Sequence, residues 1–105
     1  MLRIYPVSVQ LVREARPLAE KISQFDRDQA RQLRRSISSV ALNIAEGCVG
    51  RGGVNRVRFE SALGSARESL ANLEVAAAVG YIDSIGAETR NRFNHVIGTL
   101  VKLVR

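Results

Sequence analysis

The stretch that decides the fold spans residues 32–47 and reads QLRRSISSVALNIAEG. Its apolar residues recur at steps of three and four, the spacing of the buried face of an amphipathic helix. They are Leu33, Ile37, Val40, Ala41 and Ile44. A polar stripe of Ser36, Ser39, Asn43 and Glu46 follows the same period. Serine and asparagine are poor helix formers, so we expect something beyond propensity to keep them there.

Helical periodicity continues before this stretch. A first helix should bury a seam that Pro17 interrupts, with a kink or a fresh start near Arg16. The seam residues are Ile4, Leu11, Ala15, Leu18, Ile22 and Phe25. The second helix should begin after Asp26, which can form a capping box with Gln29. We expect it to end near Gly47 or Cys48.

Two more helices are predicted after a flexible loop at residues 49–53, which contains three glycines. Asn55 can cap the third helix, and Gly80 can end it. The third helix should bury Phe59, Ala62, Leu63, Ala66, Leu70, Leu73 and Ala77. Asp83 or Ser84 should cap the fourth helix. Its buried residues are predicted to be Ile85, Phe93, Val96, Ile97, Leu100 and either Leu103 or Val104.

The length and the short connections indicate one domain over residues 1–105. The predicted fold is all-α, an antiparallel up-down-up-down four-helix bundle. A core of this size is modest, so either economical helix packing or oligomerisation should help to stabilise it. No apolar run approaches the roughly 20 residues that span a bilayer, and the N-terminus lacks a signal-peptide pattern. We therefore expect a cytoplasmic protein that does not enter membranes.

Catalysis, metal binding and a cofactor are not expected. The single histidine, His95, follows Arg92 by three residues, whereas paired metal sites in bundles need Glu-x-x-His. The serines lie within helices, and Cys48 near a helix C-terminus is not activated. Glu46 and Glu68 could face each other for acid–base work. Small residues around them favour a structural interpretation instead.

That structural interpretation assigns the polar stripes to helix packing or subunit contacts. The third helix carries a matching stripe of Ser61, Ser65, Glu68 and Asn72. Glycines beside the two stripes let helices approach closely. The predicted structural or oligomer-interface residues are Ser36, Ser39, Asn43, Glu46, Gly47, Gly64, Ser65 and Glu68.

The chain is basic, with 16 Lys and Arg against 10 Asp and Glu and a net charge of +6. Like charges one helical turn apart repel each other, so their crowding suggests a polyanion or acidic partner surfaces. The candidate nucleic-acid-binding residues are Arg27, Arg31, Arg34 and Arg35 on the second helix and Arg51, Arg56 and Arg58 around the loop. An ordinary solvated face, paired locally to Asp28 or Glu20, explains them equally well. Aromatic residues are few, so any binding should be led by phosphate and poor in sequence specificity.

Two motifs resemble those of a known bacterial family. The first runs from Gln32 through Val40 and continues as Asn43-Ile44-Ala45-Glu46-Gly47. The second is Phe59 followed by Gly64-Ser65-Ala66-Arg67-Glu68. Together they resemble the 23S rRNA intervening-sequence proteins, which are four-helix bundles encoded within some large-subunit rRNA genes. The resemblance implies a closed bundle and a role in binding.

The same family is similar to the accessory variability determinant proteins of diversity-generating retroelements. Those proteins are basic, form pentameric barrels, and work with a reverse transcriptase and nucleic acid. This likeness implies a ring-shaped homo-oligomer, a pentamer, with a partner such as a reverse transcriptase. The chain departs from the pattern in its glycine-rich loop and at Cys48, where many relatives carry an aromatic residue.

Our leading hypothesis is a non-enzymatic, oligomeric protein that binds RNA or DNA. The alternative is a scaffolding module whose arginines meet acidic protein partners or neighbouring subunits. An enzyme that uses Glu46 and Glu68 is a third and weaker hypothesis.

Overall fold

Four α-helices account for most of the chain in this computed structural model, which describes residues 2–49 and 53–105. They are α1 (Ile4–Ser23), α2 (Arg27–Val49), α3 (Gly53–Ala78) and α4 (Ala87–Leu103). The described ranges contain no β-strand, so the all-α prediction is confirmed. Residues 50–52 of the predicted loop, including Arg51, lie outside the described residues. Val49 and Gly53, which we assigned to that loop, belong to α2 and α3.

The helices pack in a closed cycle, in which α2 lies against α1 and α3, and α4 lies against the same two helices. Apolar side chains from all four helices meet inside, and the largest fully buried ones include Leu11, Leu33, Leu73 and Phe93. The apolar stripe predicted for the second helix is buried along its whole length. Within the described residues, no helix combines the length and the apolar composition needed to cross a bilayer.

Two helix ends form as the sequence predicts. The Gln29 backbone N–H donates to Oδ1 of Asp26 over 2.9 Å, which caps the start of α2. At the end of α3, Gly80 has a φ of +85°, a conformation that L side chains disfavour. Its N–H donates to the Ala77 carbonyl over 3.2 Å, and the Tyr81 N–H donates to Ala76 over 2.9 Å. These two bonds close the helix.

The first helix departs from the prediction in two ways. The fresh start predicted near Arg16 is wrong, because α1 stays helical through Pro17. Pro17 is exposed, so water can reach the backbone carbonyl that its ring leaves without a donor. Phe25 lies beyond the end of α1 and is 63% exposed, so its placement in the core is wrong as well. The apolar pattern of the first helix continues in the sequence to Phe25, whereas α1 ends at Ser23.

The other two predicted caps are also wrong. α3 begins at Gly53, which places Asn55 inside its first turn. The residue before α4 is Gly86, whose φ of +89° turns the backbone into the helix, whereas Asp83 and Ser84 lie earlier in the connection. Ile85 is buried, as predicted, but it precedes the helix. Leu103, one of the two alternatives at the end of α4, is 36% exposed.

One glycine is required where α2 and α3 approach each other. A methyl group at Gly47 would lie 2.5 Å from Cε1 of Phe59, whose ring is buried. Real contacts are never this short, so an alanine would have to displace an aromatic ring from the core. Gly98 on α4 has nothing within 4 Å of the same position.

We therefore expect Gly47→Ala to lower the free energy of unfolding by about 1–3 kcal/mol, as overpacking does. Gly98→Ala is the matched control, and it should raise that free energy by about 0.4–1 kcal/mol because alanine restricts the unfolded chain. Urea unfolding followed by circular dichroism measures both. A Gly47→Ala protein as stable as the Gly98→Ala protein would contradict the packing described here.

A polar cluster connects α1 to α4. The Glu14 carboxylate forms an ion pair with Arg92 and accepts a hydrogen bond of 2.7 Å from Thr89. Gln10 donates to it as well, over 3.0 Å. Burial by itself would raise the pKa of Glu14, but the hydrogen bonds from Thr89 and Gln10 and the charge of Arg92 outweigh burial and lower it.

Since folding lowers the pKa of Glu14, the unfolded chain binds this proton more tightly, and acid favours unfolding. The contribution is complete above the ordinary glutamate pKa of 4.5 and is lost as the pH falls through the lower folded value. We expect Glu14→Gln to lower the free energy of unfolding by about 1–2 kcal/mol at pH 7 and by less at pH 3. Glu20→Gln, on the exposed side of α1, should stay within about 0.5 kcal/mol at either pH. Denaturant unfolding at a series of pH values checks this, and a pH-independent difference for Glu14→Gln would argue against it.

Candidate functional site

Two grooves of different character lie on either side of α2. Successive residues of an α-helix are about 100° apart around its axis. On this geometry Arg27, Arg31 and Arg34 share the flank that faces α1. The stripe of Ser36, Ser39, Asn43 and Glu46 occupies the opposite flank, which faces α3. We call these surfaces the α1–α2 groove and the α2–α3 groove.

The α1–α2 groove is basic along its length. One part, of about 450 Å³, is lined by Ser23, Arg27, Arg31 and Arg34. The adjoining part, also of about 450 Å³, shares Arg34 and adds Arg13 and Arg16 from α1. Its floor is apolar and includes Ala15, Ala19, Leu33 and Ile37. Five arginines therefore line two neighbouring depressions that share Arg34.

Sequence reasoning missed Arg13 and Arg16. They stand three residues apart on the first helix, so they share a helix face. That spacing was visible in the sequence. Which face of α2 they would meet was not visible, because it depends on how the two helices rotate against each other.

The arginines of the α1–α2 groove are weakly neutralised. Arg31 pairs with Asp28 at 3.1 Å and Arg16 pairs with Glu20 at 3.6 Å, and all four side chains are mostly exposed. Among the described residues, Arg13, Arg27 and Arg34 take part in no ion pair. Exposed pairs contribute little, at most about 1 kcal/mol, so an incoming phosphate can replace them.

The other predicted arginines lie elsewhere. Arg35 is about 100° around the helix from Arg34 and lines the α2–α3 groove. Arg58 lines the same groove and contacts Glu46 at 3.0 Å. Arg56 pairs with Glu60 at 3.0 Å. The structure thus brings together Arg27, Arg31 and Arg34 from the predicted set.

The α2–α3 groove encloses about 660 Å³ above a ladder of polar contacts. Ser65 donates to the Ser39 hydroxyl over 2.9 Å, and Asn43 donates to the same hydroxyl over 2.9 Å. Beneath the groove, the Ser36 and Ser69 hydroxyl oxygens lie 2.7 Å apart, and both residues are buried. The two stripes therefore face each other within one chain.

Two further members of this ladder were missed. Ser69 follows Ser65 by one turn, and Gln29 precedes the stripe on α2. Gln29 donates from its side chain to the Asn72 carbonyl over 3.2 Å, and Asn72 donates to the Gln29 carbonyl over 3.1 Å. This bond also explains why the predicted capping box is incomplete, since the Gln29 side chain points to α3 instead of back to Asp26.

The predicted interface residues divide into two groups. Ser36, Ser39, Ser65 and Gly47 find their partners in the contact of α2 with α3. Glu46, Gly64 and Glu68 stay exposed, and the two glutamates line the α2–α3 groove. A methyl group at Gly64 would meet nothing within 4 Å. The α2–α3 groove also contains Leu42, which is 63% exposed.

The residues that could bind a metal ion or take part in catalysis are dispersed. Across the described ranges, no three His, Cys, Asp or Glu side chains come close enough together to hold a metal ion. Glu46 and Glu68 both line the α2–α3 groove, where both are exposed and Glu46 contacts Arg58. His95 is exposed on α4. Cys48 is a free thiol that packs against the core.

Two comparisons find proteins that are similar to this chain. Residues 1–102 match the family model described as "23S rRNA-intervening sequence protein". A crystal structure from Bacteroides thetaiotaomicron, of a protein with unknown function from the S23 ribosomal protein family, superposes with a TM-score of 0.81. It is 18% identical, and the match covers 97% of this chain and 98% of that one. At this identity the likeness shows the fold alone. No curated protein sequence matches this chain.

Proposed function

Because the chain belongs to the 23S rRNA-intervening sequence protein family, we propose that it is a non-enzymatic protein that binds RNA or DNA through the α1–α2 groove. The observation that carries the proposal is the line of five arginines along this groove, three of them without an ion pair among the described residues. Arginine forms forked contacts with phosphate and keeps its charge at any physiological pH.

The spacing of these arginines suits a phosphate backbone. Arg27, Arg31 and Arg34 follow one another at steps of four and three residues, or roughly 6 and 4.5 Å along the helix. Contacts to phosphate fix position and carry no sequence information, so the binding should tolerate many sequences. A cytoplasmic location fits this function.

We also propose that the four helices form an antiparallel bundle that assembles into a ring. The order of the α2–α3 contacts supports the antiparallel arrangement, since Gln29, Ser36 and Ser39 meet Asn72, Ser69 and Ser65 in turn. A ring needs two different faces that fit each other. The α2–α3 groove, with exposed Leu42 above satisfied polar groups, is our candidate for one of them.

The proposed number of copies in the ring rests on a resemblance to other proteins. The likeness to the accessory variability proteins of retroelements suggests five copies and a partner such as a reverse transcriptase. The alternative is that the arginines bind an acidic protein instead of nucleic acid. Measurement of RNA and DNA binding distinguishes these two kinds of partner.

We expect the double variant Arg27→Gln and Arg34→Gln to weaken binding of a fluorescent 20-nucleotide RNA. Loss of two phosphate contacts should reduce the slope of log affinity against log salt by about 1.4 for a single strand. Arg56→Gln with Arg90→Gln is the matched control, because it removes the same charge from residues that are already paired with glutamates and line neither groove. Fluorescence anisotropy across a salt series measures both. An absence of RNA and DNA binding at low salt, or equal losses in the two variants, would count against the α1–α2 groove.

For assembly, we expect light scattering at micromolar concentration to give a mass of several chains. Leu42→Glu should shift it toward a monomer, because a charge would then be buried against the neighbouring copy. Val79→Glu changes a similarly exposed side chain near the end of α3 and should leave the mass unchanged. A monomeric wild-type protein would refute the ring.

A further inference from the structure

Phe25 is an exposed aromatic residue with one side of its ring already covered. It lies in the connection between α1 and α2 and is 63% exposed. Its ring stacks on that of Tyr81, with centroids 5.1 Å apart and planes inclined by 5°. Tyr81 follows α3 and is half-buried, so it supports the Phe25 ring from within.

The position of Phe25 places it at one end of the basic groove. Ser23 and Arg27, each two residues away along the chain, both line that groove. Two residues span at most about 7 Å, so the Cα atom of Phe25 lies within that distance of the Cα atom of Arg27. A strand whose phosphates follow Arg34, Arg31 and Arg27 would arrive at this aromatic residue.

We propose that Phe25 is a stacking platform for an unpaired base, and that the α1–α2 groove therefore takes single-stranded nucleic acid. This inference rests on the proposed function and adds the kind of strand. Aromatic rings beside a basic groove are how proteins bind single strands without reading sequence, since every base has a π-face. A duplex keeps its bases stacked inside, so it would gain nothing from Phe25.

The stack on Tyr81 prepares the platform for its ligand. A phenylalanine side chain has few rotamers, and parallel contact with a second ring restricts them further. The Phe25 side chain then loses less conformational entropy when a base binds. The competing explanation is that the stack only ties the connection after α1 to the connection after α3.

The experiment uses the whole protein and three labelled probes. They are a 12-nucleotide oligoadenylate, the same backbone without bases, and a 12-base-pair duplex. We expect Phe25→Leu to weaken oligoadenylate binding by about 5- to 100-fold, the range that one stacked base contributes. Binding of the baseless strand and of the duplex should change less than about twofold, and the salt slope should stay the same, because no phosphate contact is lost. Val79→Ala is the control, since it trims another exposed apolar side chain near Tyr81.

Phe25→Trp gives a second and direct readout. The sequence contains no tryptophan, so this residue would be the only indole reporter in the chain. We expect its fluorescence to be quenched by oligoadenylate and not by the baseless strand. This variant keeps an aromatic ring over Tyr81, so it tests the proposal even if Phe25→Leu folds poorly.

The outcomes separate this inference from the proposed function. If Phe25→Leu binds oligoadenylate like the wild type, or if the indole is not quenched, the platform is wrong while phosphate binding stands. If Phe25→Leu changes the mass measured by light scattering, the Phe25 side chain is covered by a second copy of the chain. That result also overturns the inference. If the wild type binds none of the three probes at low salt, the proposed function fails as well.

Discussion

The contact between the Ser36 and Ser69 hydroxyls is the constraint on which the arrangement of α2 and α3 depends. Both residues are buried, and their oxygens lie 2.7 Å apart. Each hydroxyl also contacts a carbonyl in its own helix, Ser36 that of Leu33 at 3.2 Å and Ser69 that of Ser65 at 2.8 Å. Sliding one helix by a turn would break the contact between the helices, a loss of about 0.5–1.5 kcal/mol for one hydrogen bond, while each hydroxyl would keep the carbonyl in its own helix. Apolar packing alone would tolerate such a slip far better.

This register determines which side chains line each surface. With Ser36 directed at α3, the geometry of the helix directs Arg27, Arg31 and Arg34 toward α1. Gly47 is in turn placed against Phe59, where only glycine fits. The polar ladder and the basic groove are therefore two consequences of one rotation of α2. A change in that rotation would turn the arginines away from α1.

The sequence predicted the elements well and their ends less well. Apolar residues that recur at the helical period mark the face of a helix that is buried. The stripe from Leu33 to Ile44 follows this period and is indeed buried. Asp26 and Gly80 were recognisable since local hydrogen bonds decide caps and stops. The fresh start near Pro17 and the burial of Phe25 were wrong, because tertiary packing decides whether a helix continues through a proline and whether an aromatic residue lies in the core. The same limit applies to the arginines: their charge is evident in the sequence, but the division of Arg34 from Arg35 between two grooves is a property of the assembled helices.

The opposite characters of the two grooves matter for how binding and assembly would combine. Both grooves involve α2, yet of their lining residues they share only Ser38. Copies that join the α2–α3 groove to a second face other than the α1–α2 groove would leave every α1–α2 groove open. A ring would then repeat the same basic depression and the same Phe25 around its outside. One weak site becomes a strong one when several engage a single strand, since linked sites raise apparent affinity by a factor of about 10²–10⁴ without new contacts. In the proposed ring, the basic groove of each copy would contribute to binding one long polyanion, so the ring would bind it more firmly than a single copy would.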